Sequence, residues 1–187
     1  ALNKLINKMD AAVKSLWPEG KAVIFGSQAS GLALPGADLD VAIVGVGPNM
    51  SSASSGFSSS AKRRVKEMLH ALVQELMRRN VVQGFAEIIE ARIPIIKFSA
   101  HLGSSSVPVD ISVGTQNGIA AVEFLRANIL TCAPLRPLVL YIKSVLRERN
   151  LNEVFTGGMG SYSVVNIVMA YLQQQGHNVV QAYDIGS

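Results

Sequence analysis

The chain has 187 residues and a mass of 19.9 kDa, enough for one ordinary domain or two small ones. Hydrophobic residues make up 49% and charged residues 16%, below the about 25% usual in soluble domains, and this balance excludes a wholly disordered chain. A formal charge of +4 and a pI near 9.4 fit an anionic partner without requiring one. Cys132 is the one cysteine, which excludes an intrachain disulfide and a Cys-based zinc cluster; it reads as a small core hydrophobe. Arg, Lys, Pro or Gly interrupts every apolar run before the ~18–20 residues needed to span a bilayer. Ala1 is not followed by the segments of a signal peptide, so an intracellular, reducing setting is expected. The missing initiator Met leads us to expect a processed or excised fragment.

Leu2, Leu5, Ile6, Met9, Val13 and Leu16 recur at helical spacing, and Trp17-Pro18 stops that helix. Residues 21–25 form a short apolar strand that ends at Gly26-Ser27. Residues 38–44, D-L-D-V-A-I-V, predict a second strand. Seven serines and two glycines fall within residues 47–60, predicting a flexible loop. A basic amphipathic helix follows over 61–80, then strands over 85–91 and 93–99, a turn over 101–106 and a strand over 107–113. Beyond residue 117 only helices are predicted, over 117–130, 134–149 and 161–175. Strands with helices followed by helices alone predict an α/β half, 1–116, and then a partial α-helical second domain, 117–187, an α+β chain as a whole. The N-terminal helix is a candidate to pack on the helical part.

Asp38 and Asp40 stand at i and i+2 of a strand, so both carboxylates point to one face, with Leu39 and Val41 on the other. Two such carboxylates repel, and Mg²⁺, which takes oxygen ligands, is the simplest remedy. Asp110 is a third acid, within V-P-V-D-I-S-V, where an unpaired charge is costly. Three acids converging on one sheet edge would build a two-metal site for phosphoryl displacement. The bland alternative for an isolated D-x-D is a turn or a pair of solvated acids. Gly26-Ser27, directly after a strand, permits close backbone approach and a hydroxyl donor to a phosphate; alone it reads better as an ordinary strand-to-helix turn.

The stretch F-G-S-Q-A-S-G-L-A-L-P-G-A-D-L-D-V-A-I-V (residues 25–44) resembles the signature of the DNA polymerase β-like nucleotidyltransferase superfamily. A-R-I-P-I-I-K-F (91–98), V-D-I-S (109–112), Asn117-Gly118 and L-N-E-V-F-T-G-G-M-G-S-Y-S (151–163) extend the resemblance in order along the chain. Among its subfamilies, the sequence is most similar to the noncanonical poly(A) polymerases of the TRAMP complex. The resemblance implies a mixed-sheet catalytic domain followed by part of an α-helical central domain. Asp38, Asp40 and Asp110 would hold two Mg²⁺ ions, with Mn²⁺ as a substitute, and the third acid would help to activate the primer 3′-hydroxyl. Gly26 and Ser27 would hold the nucleoside triphosphate. Lys143 and Arg147, i and i+4 on one helix, would meet the β- and γ-phosphates; Ser161 would touch phosphate and Tyr162 would stack on the base. Gly118 would lie near the ribose. Relatives often carry an Asn three residues after Gly118, where Ala121 stands, and Thr and Ser where Ser30 and Ala37 stand.

The implied function is template-independent addition of AMP from ATP to RNA 3′ ends, in the nucleus, for RNA processing or surveillance. UTP as substrate, a noncatalytic RNA-binding scaffold and a small-molecule nucleotidyltransferase are the alternatives. The implied partners are RNA, a zinc-knuckle RNA-binding protein and an RNA helicase, with no membrane. The family's helical half continues past the G-G-x-x-S-Y helix, so the ending at Ser187 also predicts a truncated chain. His70, His101 and His177 show no metal spacing and are expected on the surface. The whole +4 charge resides within 61–80, where Lys62, Arg63, Arg64 and Lys66 make the helix a candidate for RNA or partner contact, or a solvated face.

Overall fold

The computed structural model describes residues 2–47, 58–90, 93–103, 105–114, 116–152 and 157–179. In chain order they form α1 (Leu2–Leu16), β1 (Lys21–Ile24), α2 (Gly26–Ser30), β2 (Leu39–Val44), α3 (Ser59–Arg78), β3 (Ala86–Ile89), β4 (Ile95–Leu102), β5 (Ser105–Val113), α4 (Gln116–Thr131), α5 (Leu135–Glu148) and α6 (Ser161–Gln174). Each predicted helix and strand is present, with shifted ends. The turn predicted over 101–106 is tighter, because β4 runs to Leu102 and β5 resumes at Ser105; Gly103 supplies a φ of +70° that a side chain would resist. Most of the serine-rich loop, 48–57, lies outside the described residues, as does 180–187 of the final segment. Among the described residues no single helix is long and apolar enough to cross a membrane.

The chain divides into two compact units, Ala1–Gln28 with Gly36–Ala120 and Ala29–Pro35 with Ala121–Ser187. A division at 116/117 keeps residues 29–35 with the first part, whereas the structure groups them with the second unit. The reason is local: Leu32 is 2% exposed and lies in the second unit's apolar core, and hydrogen bonds described below hold its neighbours.

The first unit is a five-stranded mixed sheet in the order β1-β2-β5-β4-β3, with β2 and β5 parallel and the other pairs antiparallel. Alternation sends Leu39, Val41, Ile43, Ile96, Phe98, Val109, Ile111 and Val113 to one buried face, covered by α1 and α3. Each such side chain contributes about 1.5–3 kcal/mol on burial, which fixes strand register, since a one-residue slip would expose them all. Pro108 is tolerated in central β5 because the β2 ladder begins only at Val109, leaving β4 as the one neighbour there.

The helices follow from the same chemistry. α1 buries Leu5, Met9, Ala12 and Val13 in the first unit's core. The short link to β1 and an Ala22 N–H donated to Asp10 Oδ1 at 3.0 Å hold it beside the sheet of its own unit. α3 is capped by Ser58, whose Oγ accepts the Ala61 N–H at 3.3 Å, and buries Val65, Leu69, Leu72 and Leu76. In the second unit α5 and α6 pack together over Leu135, Val139, Val164, Val165, Val168 and Leu172. Cys132 is buried in that core.

Candidate active site

Parallel pairing of β2 with β5 sets Asp40 opposite Asp110. On the far side of β5, Lys97 of β4 is in register with Asp110, and Glu87 of β3 with Lys97. Residues in register share a face, so Asp40, Asp110, Lys97 and Glu87 form a charged row across four strands. Asp38, two residues before Asp40, emerges on the same face, because Leu39 and Val41 are 1% and 0% exposed on the opposite one. The apolar core thus dictates where the carboxylates point.

The Lys97 ammonium lies 3.7 Å from Asp38 Oδ2 and 3.3 Å from Asp110 Oδ2. The Asp110 side chain is only 19% exposed, and its Oδ1 is buried with no hydrogen-bond partner. Burial pushes the Asp110 pKa up from its ordinary value; Lys97 opposes that rise and the Asp38 charge adds to it. Among the described residues, no three His, Cys, Asp or Glu side chains already form a cluster able to hold a metal ion. Asp38 and Asp110 instead face each other across Lys97.

The glycine-serine turn is fastened to this row. The Phe25 N–H donates to the Asp40 carbonyl at 3.0 Å, so the turn follows β1 directly onto the acid strand. Gly26 has a φ of +65°, and a Cβ there would overlap the Asp40 carboxylate. Ser27 is the second residue of α2. Gly118 also serves close packing: a Cβ there would come within 2.8 Å of the Phe25 ring. Phe25 therefore fills the open side of Gly118, next to the turn.

Lys143, Arg147, Ser161 and Tyr162 belong to the second unit. Lys143 Nζ donates to the Leu32 carbonyl at 2.7 Å and Arg147 Nη1 to the Pro35 carbonyl at 2.8 Å. Two cations that the sequence did not single out act alike: Arg126 Nε donates to the Ala29 carbonyl at 2.7 Å and Arg136 Nε to the Gly31 carbonyl at 3.1 Å. Ser161 opens α6 after Gly160, which offers no side chain to cap it, and Tyr162 is 52% exposed. His70, His101 and His177 are exposed.

Lys97 is the residue of the acid face that sequence reasoning did not single out. Its signal is a cation at an outward position of I-I-K-F, between buried Ile96 and Phe98. Alternation gives its face, but only strand pairing gives its neighbours.

Residues 2–128 match the family described as the central palm domain of mitochondrial-like poly(A) RNA polymerase. Poly(A) RNA polymerase protein 2 of Saccharomyces cerevisiae is 31% identical over 183 residues, which are 97% of this chain and 29% of that protein. The structure described as the polymerase core of TRAMP, an RNA surveillance complex, is similar with a TM-score of 0.67 at 32% identity, over 87% of this chain and 46% of that one. The Cid1 poly(U) polymerase structure is similar with a TM-score of 0.69 at 25% identity, over 91% of this chain and 47% of that one. The chain thus spans less than a third of that yeast relative and about half of each of these solved chains.

Proposed function

The chain belongs to the family of mitochondrial-like poly(A) RNA polymerase central palm domains, and from that premise we propose that it is the catalytic part of a template-independent RNA nucleotidyltransferase adding AMP from ATP to RNA 3′ ends. The observation that carries this reading is the convergence of Asp38, Asp40 and Asp110 on one face of adjacent parallel strands, with Gly26 and Ser27 fastened beside them. A small-molecule nucleotidyltransferase would share the acids, but the similarity to RNA polymerizing relatives over nearly the whole chain supports the RNA reading.

The residues fit a divalent cation. All three side chains offer oxygen donors, and the orphaned, buried Asp110 Oδ1 is an acceptor left for a ligand. Asp38, Asp40 and Asp110 would hold Mg²⁺, or Mn²⁺ in its place, as two ions. Bound there, the ions would supply charge stabilisation to the attacking oxygen and the departing pyrophosphate. The chain's own groups do the remaining work. Ser27 donates its hydroxyl to the triphosphate, and Gly26 leaves room for the Asp40 carboxylate. Asp110 accepts the proton of the primer 3′-hydroxyl. Lys143 and Arg147 bind the β- and γ-phosphates: an ammonium has three N–H donors and a guanidinium five, so one carbonyl bond exhausts neither. Ser161 contacts phosphate at the side-chain-free start of α6, and Tyr162 stacks on the base. Gly118 lies near the ribose, beside Phe25.

The RNA 3′ end, a zinc-knuckle RNA-binding protein and a helicase are the proposed partners, and the nucleus the proposed setting, supported by the similarity to the TRAMP polymerase core. The test uses the full-length protein, an RNA primer, each nucleoside triphosphate and Mg²⁺. ATP-dependent extension is expected, and Asp38→Ala with Asp40→Ala should reduce it to background; extension equal to wild type would overturn the metal assignment. Similarity to a poly(U) polymerase favours UTP as the second reading, which preferential UTP use in nucleotide competition would establish. Retained RNA binding without turnover would instead favour a scaffold.

A further inference from the structure

Three carboxylates on one sheet face present a problem before any metal arrives. Like charges repel, and Asp110 is largely withdrawn from water, so its charge is poorly screened. The chain answers with a cation of its own. Lys97 stands across β5 from Asp40, in register with Asp110, and its ammonium reaches Asp110 and Asp38 at 3.3 and 3.7 Å. On β4 the outward positions after Lys97 are Ser99 and His101, while Ile96, Phe98 and Ala100 are buried. Lys97 is therefore the one ammonium that this strand can send to the acids.

We propose that Lys97 is a built-in stand-in for the divalent ion: its ammonium bridges Asp38 and Asp110 in the metal-free chain and is displaced when a metal binds. The inference rests on the proposed metal site and adds an occupant to it. A lysine suits the role for three reasons. Its ammonium is a compact charge with three donors and no fixed plane, so it bridges two carboxylates from separate strands. Its flexible side chain is 46% exposed, leaving a path by which the head can swing into water. Its single charge leaves the carboxylates under-neutralised, and Asp110 Oδ1 without a partner. A divalent ion brings twice the charge and ligand distances of about 2.0–2.1 Å for Mg²⁺, so it draws Asp38 and Asp110 closer than an ammonium can. Lys97 cannot then remain between them, because the ion occupies its place and repels it. The device has two consequences. The acids are kept together while the metal is absent, and the metal binds more weakly than it would to bare carboxylates.

The test is Mn²⁺ binding to the chain, read by electron paramagnetic resonance of the free ion, with thermal unfolding in parallel. Lys97→Met should tighten Mn²⁺ binding by about tenfold, the affinity change equivalent to about 1.4 kcal/mol of competition. It should also unfold at a lower temperature than wild type without metal and recover that loss with Mn²⁺, whereas Lys97→Arg should keep the metal-free stability. Equal or weaker Mn²⁺ binding by Lys97→Met overturns the inference. A measurement on the unaltered chain decides the matter even where Lys97→Met does not fold: acylation of Lys97, followed by mass spectrometry, should be faster with Mn²⁺ than without. An unchanged or slower rate overturns the proposal. Absence of Mn²⁺ binding by wild type, or undiminished binding by Asp110→Asn, overturns the metal site itself and is distinguishable from failure of the Lys97 role alone.

Discussion

Gly26 shows how one residue sets the geometry beside an acidic strand. Its φ of +65° is a left-handed conformation, which costs other residues roughly 1–2 kcal/mol. The missing side chain also leaves the volume into which the Asp40 carboxylate fits. Gly26→Ala is therefore expected to destabilise the chain by at least about 1 kcal/mol in chemical denaturation. It should also weaken Mn²⁺ binding, because the new methyl displaces Asp40. A loss of stability with unchanged metal affinity would separate the two effects and refute the steric one. The G-S turn was legible in the sequence, but the reason for the glycine was not: the sequence suggested close approach to a phosphate, and the structure adds close approach to a carboxylate.

At the scale of elements, the segment Ala29–Pro35 between α2 and β2 is held by the second unit. The chain leaves the first unit after Gln28 and returns at Gly36, two residues before Asp38. Leu32 buries its side chain in the second core, and Arg126, Arg136, Lys143 and Arg147 each bond one carbonyl of the segment. Exposed charged hydrogen bonds are individually weak, about 0.5–1 kcal/mol each, so their number and the apolar plug matter together. Arg126→Met with Arg136→Met should lower the local opening free energy by about 1–2 kcal/mol, which is a roughly 5- to 30-fold faster exchange of amides in 29–35. Unchanged exchange would leave Leu32, Lys143 and Arg147 as the anchors of the segment. Neither arginine was legible beforehand, since each lies about a hundred positions from its acceptor. Lys143 and Arg147 were legible through resemblance, yet their bonds to Leu32 and Pro35 came only from the fold.

At the scale of the whole molecule, the +4 charge lies within residues 61–80 in the sequence, on α3 and Arg79 just past its end, but its distribution changes in three dimensions. Arg63 pairs with Glu67, Lys66 with Glu90, and Arg78 and Arg79 with Glu75, which also accepts a hydrogen bond from Ser15 of α1. Those contacts hold the Glu75 carboxyl well below the usual carboxylate range, through Arg78 first and Arg79 next. Much of the basic face is thus compensated by its own surroundings, which favours a solvated surface. Neutralising Lys62, Arg63, Arg64 and Lys66 is expected to leave the salt dependence of RNA binding by the full protein unchanged. Loss of phosphate contacts would instead flatten the slope by about 0.7 per contact on single strands, and that result would assign the face to RNA.

The order and type of the elements were written in local periodicity, because alternation and helical spacing record which face of each segment meets a core. The three acids were legible for the same reason: a carboxylate in an apolar strand is conspicuous within a few residues. Pairing is not local. That β2 lies beside β5 and β5 beside β4 depends on burial summed over the whole sheet, and that sum alone places Lys97 between Asp38 and Asp110. It also assigns 29–35 to the second unit, where a buried leucine and four cations outweigh nearness along the chain. The sequence by itself singled out the candidate residues, because their types and spacing are local. Only the tertiary structure decided which charges stand together, because a Coulomb interaction depends on distance in space and not on separation along the chain.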